Sequence, residues 1–213
     1  MTAVAVLTAV LGLSAAALAQ GAAPANCVTI GTPKPTLTYT YQFTAANGSN
    51  TRRTERWENV TTTGSRVRVS RNGGTEISIN EHRVVDDAIV IDRNSKQSAN
   101  GGVIEATAFR PGMVGDIAFR ACAARSWKIP SVTANYQSRQ NKASAASASG
   151  ALTIVAVNEK IAVPAGQFDT VHYVRTSQSR DEYWKSIEHG VIVKHIATLP
   201  GVPVMTDVLM SIK

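Results

Sequence analysis

The 213-residue chain carries 22 Lys and Arg residues against 15 Asp and Glu residues, which gives a formal net charge of +7 and a pI of 9.7. Such a cationic chain favours anionic partners. After residue 19 no apolar run approaches the roughly 20 residues that a transmembrane helix needs, which excludes a protein that crosses a membrane through helices.

Residues 1–19 have the composition of a secretory signal peptide. They are rich in Ala, Val and Leu, carry no charged side chain and end in Ala17-Leu18-Ala19, which fits the small-x-small rule of signal peptidase. We therefore expect a periplasmic or secreted protein. Export argues against nucleic acid as a partner and leaves anionic lipid head groups or cell-wall polymers.

The sequence contains two cysteines, Cys27 and Cys122. An exported pair usually forms a disulfide, because the compartment is oxidising. A lipidated Cys27 is the alternative, but Asn26 stands where a lipobox has Gly or Ala. The sequence thus predicts a disulfide between an N-terminal extension, residues 20–35, and the middle of the chain.

Alternating side chains predict strands from residue 36 onwards. The clearest strand runs from Thr36 to Thr44 and places four large side chains on one face: Leu37, Tyr39, Tyr41 and Phe43. Asn47-Gly48 then indicates a hairpin turn. Further strands are predicted over residues 51–60, 66–69, 76–80, 88–92, 103–109 and 131–139.

Two segments in the middle of the chain depart from this pattern. Asp116 has a residue type that caps helices, and Ile117, Ala121 and Ala124 would share one face, so we expect a short helix there that carries Cys122. The low-complexity stretch 142–150 predicts a mobile hairpin loop, with an interdomain linker as the alternative. Because only about 60 residues follow it, near the lower limit for an independent core, we expect one β-rich domain over residues 36–213.

The last quarter of the chain has the pattern of a β-meander. Gly166 precedes an alternating strand that begins with Phe168, and we expect this glycine to have a positive φ. Tyr183 and Trp184 belong to a second short strand, and residues 191–196 and 202–212 form the last two.

This region resembles a family of uncharacterised bacterial envelope proteins. The resemblance covers roughly the last quarter of the chain and depends on the sequence Val163-Pro-Ala-Gly-Gln-Phe-Asp-Thr170, on Tyr183-Trp184 and on a Gly-Val-x-Val-Lys strand. It implies a β-rich, often lipoprotein-like domain and names no catalytic residue. By analogy, such domains are similar to the LolA-like curved sheets that hold acyl chains.

Motifs of catalysis and metal binding are missing from the sequence. It lacks Gly-x-Ser-x-Gly, Ser-x-x-Lys, His-Glu-x-x-His, Cys-x-x-Cys and the Walker loop. Asp86-Asp87 and Asp181-Glu182 are raw material for a carboxylate pair, but adjacent acids in a strand point to opposite faces. The four histidines have no standard zinc spacing. We expect no enzyme, no metal and no cofactor.

Together these patterns predict a mostly β protein, a strongly curved antiparallel sheet or half-barrel meander with one short helix. The first hypothesis for its function is an envelope protein that binds a lipid or another apolar ligand on the curved sheet. The candidate ligand-binding residues are Tyr39, Tyr41, Phe43, Phe168 and Trp184. The alternative is a structural or interaction module that binds a protein or an anionic envelope surface through a basic face containing Arg66 and Arg68.

Overall fold

The computed structural model describes residues 26–98 and 100–213, so the predicted signal peptide lies outside the described residues. Strands account for most of what is described, and one 3-10 turn is present at Asn72–Gly74. The strands are β1 (Cys27–Thr29), β2 (Tyr39–Thr44), β3 (Asn50–Glu58), β4 (Gly64–Arg71), β5 (Glu76–Val85), β6 (Ala88–Gln97), β7 (Val103–Ile117), β8 (Arg120–Cys122), β9 (Ser126–Ile129), β10 (Thr133–Ser138), β11 (Lys142–Ala146), β12 (Gly150–Val163), β13 (Gly166–Thr176), β14 (Arg180–Ser186), β15 (Ile192–Thr198) and β16 (Met205–Ile212).

The strands pair antiparallel in a 14-stranded sheet and a separate two-stranded sheet, β1-β8. The order in the large sheet is β11-β10-β7-β6-β5-β4-β3-β2-β16-β15-β14-β13-β12-β9. Most neighbours are consecutive in the chain, as expected of hairpins joined by short turns. Three pairs are exceptions: β2 pairs with β16, β9 pairs with β12, and β7 pairs with β10 although β8 and β9 lie between them in sequence.

Alternation in the sequence decides which side chains these strands bury. In β4, Val67 and Val69 are 2% and 3% exposed, and the alternating Arg66 and Arg68 face the other side of the sheet. In β2, Tyr39 and Tyr41 are buried by the same rule. Burying one face of an antiparallel sheet stabilises it by about 25 cal/mol for each Å² of apolar area removed from water.

Strands that are distant in the sheet order make contact through their side chains. Asp116, near the end of β7, accepts a hydrogen bond from the Tyr173 hydroxyl of β13 at 2.5 Å and pairs with Lys185 of β14 at 2.8 Å. Around this contact lies the first hydrophobic cluster, with Leu152, Ile154, Val171, Tyr173, Ile117 and Trp127 among its members. A second cluster contains Tyr39, Tyr41, Trp57, Val67, Val69, Trp184, Val193 and Leu209.

The two edges of the large sheet approach each other at one end. Edge strand β9 passes to β10 through residues 130–132, and β11 passes to β12 through residues 147–149. The Ser147 amide donates a hydrogen bond to the Val132 carbonyl at 2.9 Å and ties the two connections together. From these connections the β10-β11 hairpin extends along β7, with β10 paired to β7 and β11 at the edge of the sheet.

The predicted disulfide is confirmed. Cys27 and Cys122 are bonded, 95 residues apart in sequence, and are register partners in the β1-β8 pair. Part of the predicted N-terminal extension is therefore a strand. Next to the bond, Ile30 and Ala121 are buried in the first hydrophobic cluster, so the disulfide fixes the start of the described chain against the core.

The short helix predicted after Asp116 is wrong. Residues 111–117 continue β7, and Arg120–Cys122 is β8. Asp116 accepts a hydrogen bond from the next amide, at 2.7 Å, whereas a helix cap binds the amides two or three residues on. Its carboxylate is also engaged by Tyr173 and Lys185. These tertiary contacts and the pairing of β7 with β6 outweigh the weak local preference for a helix.

The mobile loop predicted over residues 142–150 is also wrong in part. Lys142–Ala146 forms the edge strand β11, which pairs with β10 over five residues. Its three alanines are poor strand formers, but a neighbouring strand supplies hydrogen-bond partners for the backbone. The turn prediction at Gly166 is confirmed, because its φ is 137°.

Candidate functional site

The aromatic residues predicted to bind a ligand are found mainly in the protein interior. Tyr39 and Tyr41 are 0% and 1% exposed. The Tyr39 hydroxyl accepts the Lys34 amide at 3.0 Å, and the Arg53 guanidinium lies 4.3 Å from the centre of the Tyr41 ring. Burial raises the pKa of Tyr41 above its usual value. Phe43, at the end of the same strand, is only partly buried.

Trp184 and Phe168 belong to the second hydrophobic cluster. Trp184 is 8% exposed, stacks on the His172 ring at 4.3 Å and donates its indole N–H to Glu159 at 3.0 Å. Phe168 is partly exposed between two hollows of about 410 and 420 Å³. Tyr39, Tyr41 and Trp184 therefore pack against other side chains of the protein, and their predicted role in ligand binding stays a prediction.

The Asp181-Glu182 pair separates onto the two faces of β14, as alternation requires. Asp181 accepts hydrogen bonds from His195 at 3.3 Å, Arg175 at 2.9 Å and Ser179 at 2.8 Å. Burial opposes its ionisation, but these three bonds outweigh burial and lower the pKa of Asp181 to about 2. Because its partners are all side chains of the protein, Asp181 belongs to a structural network.

The predicted basic face lies on β4, where Arg66 and Arg68 project from the side opposite the buried valines. Both guanidinium groups approach the same carboxylate, Glu58, at 3.8 and 3.1 Å. Their charge is therefore partly neutralised by a neighbouring strand. They nevertheless mark the beginning of a larger polar surface.

Two cross-strand rows lead away from β4, with one residue from each strand directly opposite the next. The register places the first row at Arg66, Glu81, Arg93, Ala108, Asn135 and Ser144. The second row, two residues away on each strand, is Arg68, Ile79, Ser95, Ala106, Gln137 and Lys142. Ile79 and Ser95 are only 0% and 4% exposed, so this row reaches the polar surface again only at β7.

The far part of these rows forms a hollow of about 840 Å³, which we call the trough. It crosses β5, β6, β7, β10 and β11. Its lining is polar around a base of small side chains, and consists of Glu81, Asp92, Arg93, Ala106, Ala108, Arg110, Asn135, Tyr136, Gln137, Lys142, Ala143 and Ser144.

The balance of charge in the trough is positive. Arg93, Arg110 and Lys142 are exposed, and among the described residues no carboxylate pairs with any of them. Of the two carboxylates, Asp92 is paired with Arg83 at 2.9 Å. The trough therefore presents cations that are available to a ligand, whereas Arg66 and Arg68 are already partly paired.

Hydrogen-bonding groups lie between these cations. Asn135 and Gln137 are exposed amides on β10, and the Ser144 hydroxyl donates to the Asn135 amide oxygen at 3.2 Å. Each amide offers both donors and acceptors. Ala106 and Ala108, opposite them on β7, have small side chains that leave space for a ligand above the sheet. The arrangement suits recognition of an anionic, hydroxyl-bearing ligand.

Metal binding finds no support in the part of the chain that is described: no three His, Cys, Asp or Glu side chains converge there. Within the same residues no helix is long and apolar enough to cross a membrane.

Reasoning from sequence identified Arg66 and Arg68 but missed Arg93, Arg110 and Lys142. No local motif contains these three residues, because they lie on β6, β7 and β11. Only the pairing of β7 with β10 brings them to one face. The signal in the sequence was the strand pattern of residues 131–139. It predicted β10 but not the strands that pair with β10.

Comparison with known proteins identifies a fold and no family. No family model and no curated protein matches the chain. A solved structure from Bacteroides fragilis NCTC 9343, called a "putative exported protein with YmcC-like fold", is similar over 88% of this chain and 100% of its own length. The TM-score is 0.52 and the sequence identity 13%, so the similarity concerns the fold alone.

Proposed function

We propose that this protein is an exported envelope protein, periplasmic or secreted, that binds an anionic component of the envelope in the trough. The observation that carries the proposal is a set of exposed cations, Arg93, Arg110 and Lys142, around a hollow of about 840 Å³. None of the three pairs with a carboxylate in the part of the chain that the structure describes. Such a surface attracts anions over several ångströms and holds them through charge-assisted hydrogen bonds.

Export is supported by two independent features. The intramolecular disulfide Cys27–Cys122 is typical of oxidising compartments. The structural neighbour is itself named as an exported protein, which agrees with the signal-like composition of residues 1–19.

The strongly curved sheet expected from the sequence is part of the proposal. The contacts of Asp116 with Tyr173 and Lys185 join strands that are far apart in the sheet order, which supports curvature. Curvature also explains why the two sheet edges approach each other while the β10-β11 hairpin is left to form the wall of the trough.

The proposed role is binding without catalysis. A hydrolytic site of the triad type needs a nucleophile beside a base and a group that orients the base. A site that uses two carboxylates would have to consist of Glu81 and Asp92, and Asp92 is paired with Arg83. The described lining of the trough has one serine, Ser144, and no histidine. The Ser144 hydroxyl donates to an amide, which cannot activate it as a base does.

Heparin, a densely charged polyanion, tests the general proposal. Arg93→Gln combined with Arg110→Gln should weaken heparin binding by about tenfold at low salt. Each lost contact contributes about 0.5 to 1 kcal/mol to binding, and the two together account for that factor. The matched control is Lys128→Gln combined with Arg52→Gln, which removes two exposed cations that lie outside the trough and pair with no carboxylate among the described residues. Isothermal titration calorimetry measures both.

Equal losses in the two double variants would show that only net charge matters and would overturn the trough as the site. Arg66→Gln with Arg68→Gln should have a smaller effect than the trough variant, because Glu58 already partly neutralises both arginines. A larger effect there would move the site to the β3-β4 face.

An apolar ligand is a second candidate function, and one observation favours it. Phe168 is partly exposed between two hollows, and Ile161, Ala165 and Ile212 contribute to their lining. Native mass spectrometry of protein purified gently from cells tests this candidate. A copurifying lipid that is lost in Phe168→Ser supports it, and the absence of any bound lipid contradicts it.

A further inference from the structure

We propose that the ligand of the trough is an extended acidic polysaccharide with widely spaced charges, lying across strands β5 to β11. This inference depends on the proposed function and makes it specific. It follows from three features of the trough: its length, the spacing of its cations and the chemistry between them.

The trough is long and open. It crosses five neighbouring strands, β5, β6, β7, β10 and β11, and four inter-strand spacings amount to about 19 Å. A lipid head group or a free phosphate would occupy only a small part of that length. An extended polymer is the kind of ligand that can contact all five strands at once.

The cations at the two ends of the trough are far apart. Arg93 lies on β6 and Lys142 on β11, three strand spacings and two residues away, so their Cα atoms are separated by roughly 15 Å. Arg110, on β7, lies near Arg93 at the same end of the trough, one strand spacing and two residues away. The register positions between this end and Lys142 are uncharged: Ala106, Ala108, Asn135 and Gln137. A ligand that matches this pattern has anionic groups separated by an uncharged segment.

The uncharged segment of the trough is suited to hydroxyl groups. Asn135 and Gln137 present exposed amides, with donors and acceptors that match the two roles of a sugar hydroxyl. The alanine side chains beneath do not obstruct a flat ring above the sheet.

Glu81 argues against a densely charged polymer. It is exposed, lines the trough and lies directly opposite Arg93 in the register. A ligand with a charge on every unit would place an anion beside this carboxylate, where like charges repel. A sparsely charged sugar chain can instead donate a hydroxyl hydrogen bond to it.

Hyaluronan oligosaccharides test the inference, because they carry one carboxylate on every second sugar. Affinity measured by calorimetry should rise with length from two sugars and level off once the chain connects Arg93 with Lys142. Asn135→Ala combined with Gln137→Ala should weaken binding of the longest oligosaccharide by roughly tenfold, as expected for two lost hydrogen bonds. The same variant should leave heparin binding within about twofold, because it removes no charge.

Competing ligands serve as the other arms of the experiment. Tighter binding of inorganic polyphosphate or of phosphatidylglycerol vesicles than of hyaluronan overturns the inference in favour of a dense polyanion or a membrane surface. So does an affinity that is independent of length. If heparin binding still depends on Arg93 and Arg110 in that case, only the sugar class fails; if it does not, the proposed function fails as well.

The amide variant needs a matched structural control. Neither Ser138, at the end of β10, nor Thr133, at its start, lines the trough. Thr133 is the control position. Thr133→Ala should leave hyaluronan affinity and the melting temperature unchanged. An equal loss in Thr133→Ala and in the amide variant would attribute the effect to β10 as a strand and would contradict direct recognition by Asn135 and Gln137.

Discussion

Two hairpins of the sheet, β13-β14 and β10-β11, share a backbone pattern and differ in the surroundings of their side chains. In β13-β14 both faces contain buried residues, and Val171, Tyr173 and Lys185 are at most 1% exposed. In β11 all five residues are exposed, and in β10 every second residue is. The first hairpin belongs to the body of the protein and the second to what we call the wing, made of β10, β11 and residues 103–110.

The difference teaches that regular pairing and stability are separate properties. Main-chain hydrogen bonds form both hairpins, but only the body removes a large apolar area from water, and that removal is the main source of stability. The wing keeps its polar groups in solvent, where a ligand can reach them. Substitutions should therefore change stability in the body and binding in the wing.

The largest expected effect is the loss of the disulfide that fixes β1 and β8 to the body. Replacing Cys27 and Cys122 with Ala should lower the free energy of unfolding by about 4 to 5 kcal/mol, because the bond closes a loop of 95 residues that restricts the unfolded chain. Urea denaturation measures the change. A loss below about 1 kcal/mol would show that the β1-β8 pair contributes little to the body.

Asp116→Ala should destabilise the body by about 3 to 5 kcal/mol, because it leaves the buried Lys185 ammonium without its partner. The matched change outside the body is Asp92→Ala. Because the pair of Asp92 with Arg83 is exposed, its loss should lower the free energy of unfolding by less than about 1 kcal/mol. Adding Lys185→Met to Asp116→Ala should recover part of the loss. Similar denaturation curves for Asp116→Ala and Asp92→Ala would contradict the prediction that the body and the exposed part of the sheet differ in their contribution to stability.

The stability of the body should also depend on pH through His82. Burial lowers the pKa of His82 to about 4, against an ordinary value of 6.5. The unfolded chain therefore binds a proton more readily, so stability is full above about pH 6.5 and falls towards pH 4, by at most about 3 kcal/mol. His82→Phe should flatten this decline, as measured by thermal melts between pH 4 and pH 7. An unchanged pH profile in that variant would place the titrating group elsewhere.

The smallest effect is expected in the wing. Ala145→Asp, on the exposed edge strand, should change the free energy of unfolding by no more than about 0.5 kcal/mol. Hydrogen exchange should also be faster in the amides of β10 and β11 than in those of β13 and β14, since little apolar surface protects the wing. Equal protection in both hairpins would contradict the comparison.

Much of the fold could be predicted from the sequence, because a strand is a local pattern. The alternation of Tyr39 and Tyr41 with threonines indicated β2, and the alternation around Phe168 indicated β13. The turn at Gly166 followed from the conformational freedom of glycine. The Cys27–Cys122 bond followed from the number of cysteines and the expected compartment.

Other features were decided only by the tertiary structure. Residues 111–122 are strands because β7 pairs with β6 and because Asp116 reaches Tyr173 and Lys185, contacts with partners more than 50 residues away in sequence. Local capping preferences contribute about 1 kcal/mol and do not outweigh such contacts.

The candidate site shows the same limit most clearly. The sequence indicated a cationic protein with arginines on one face of β4, and it placed an aromatic row on β2 without revealing that Tyr39 and Tyr41 pack against other side chains of the protein. Arg93, Arg110 and Lys142 share a trough only because the chain leaves β7, forms β8 and β9 elsewhere and returns to pair β10 with β7. Alternation decides which face of a strand a side chain occupies. The order of the strands in the sheet decides which other side chains it meets, and that order depends on long-range pairing that no local pattern records.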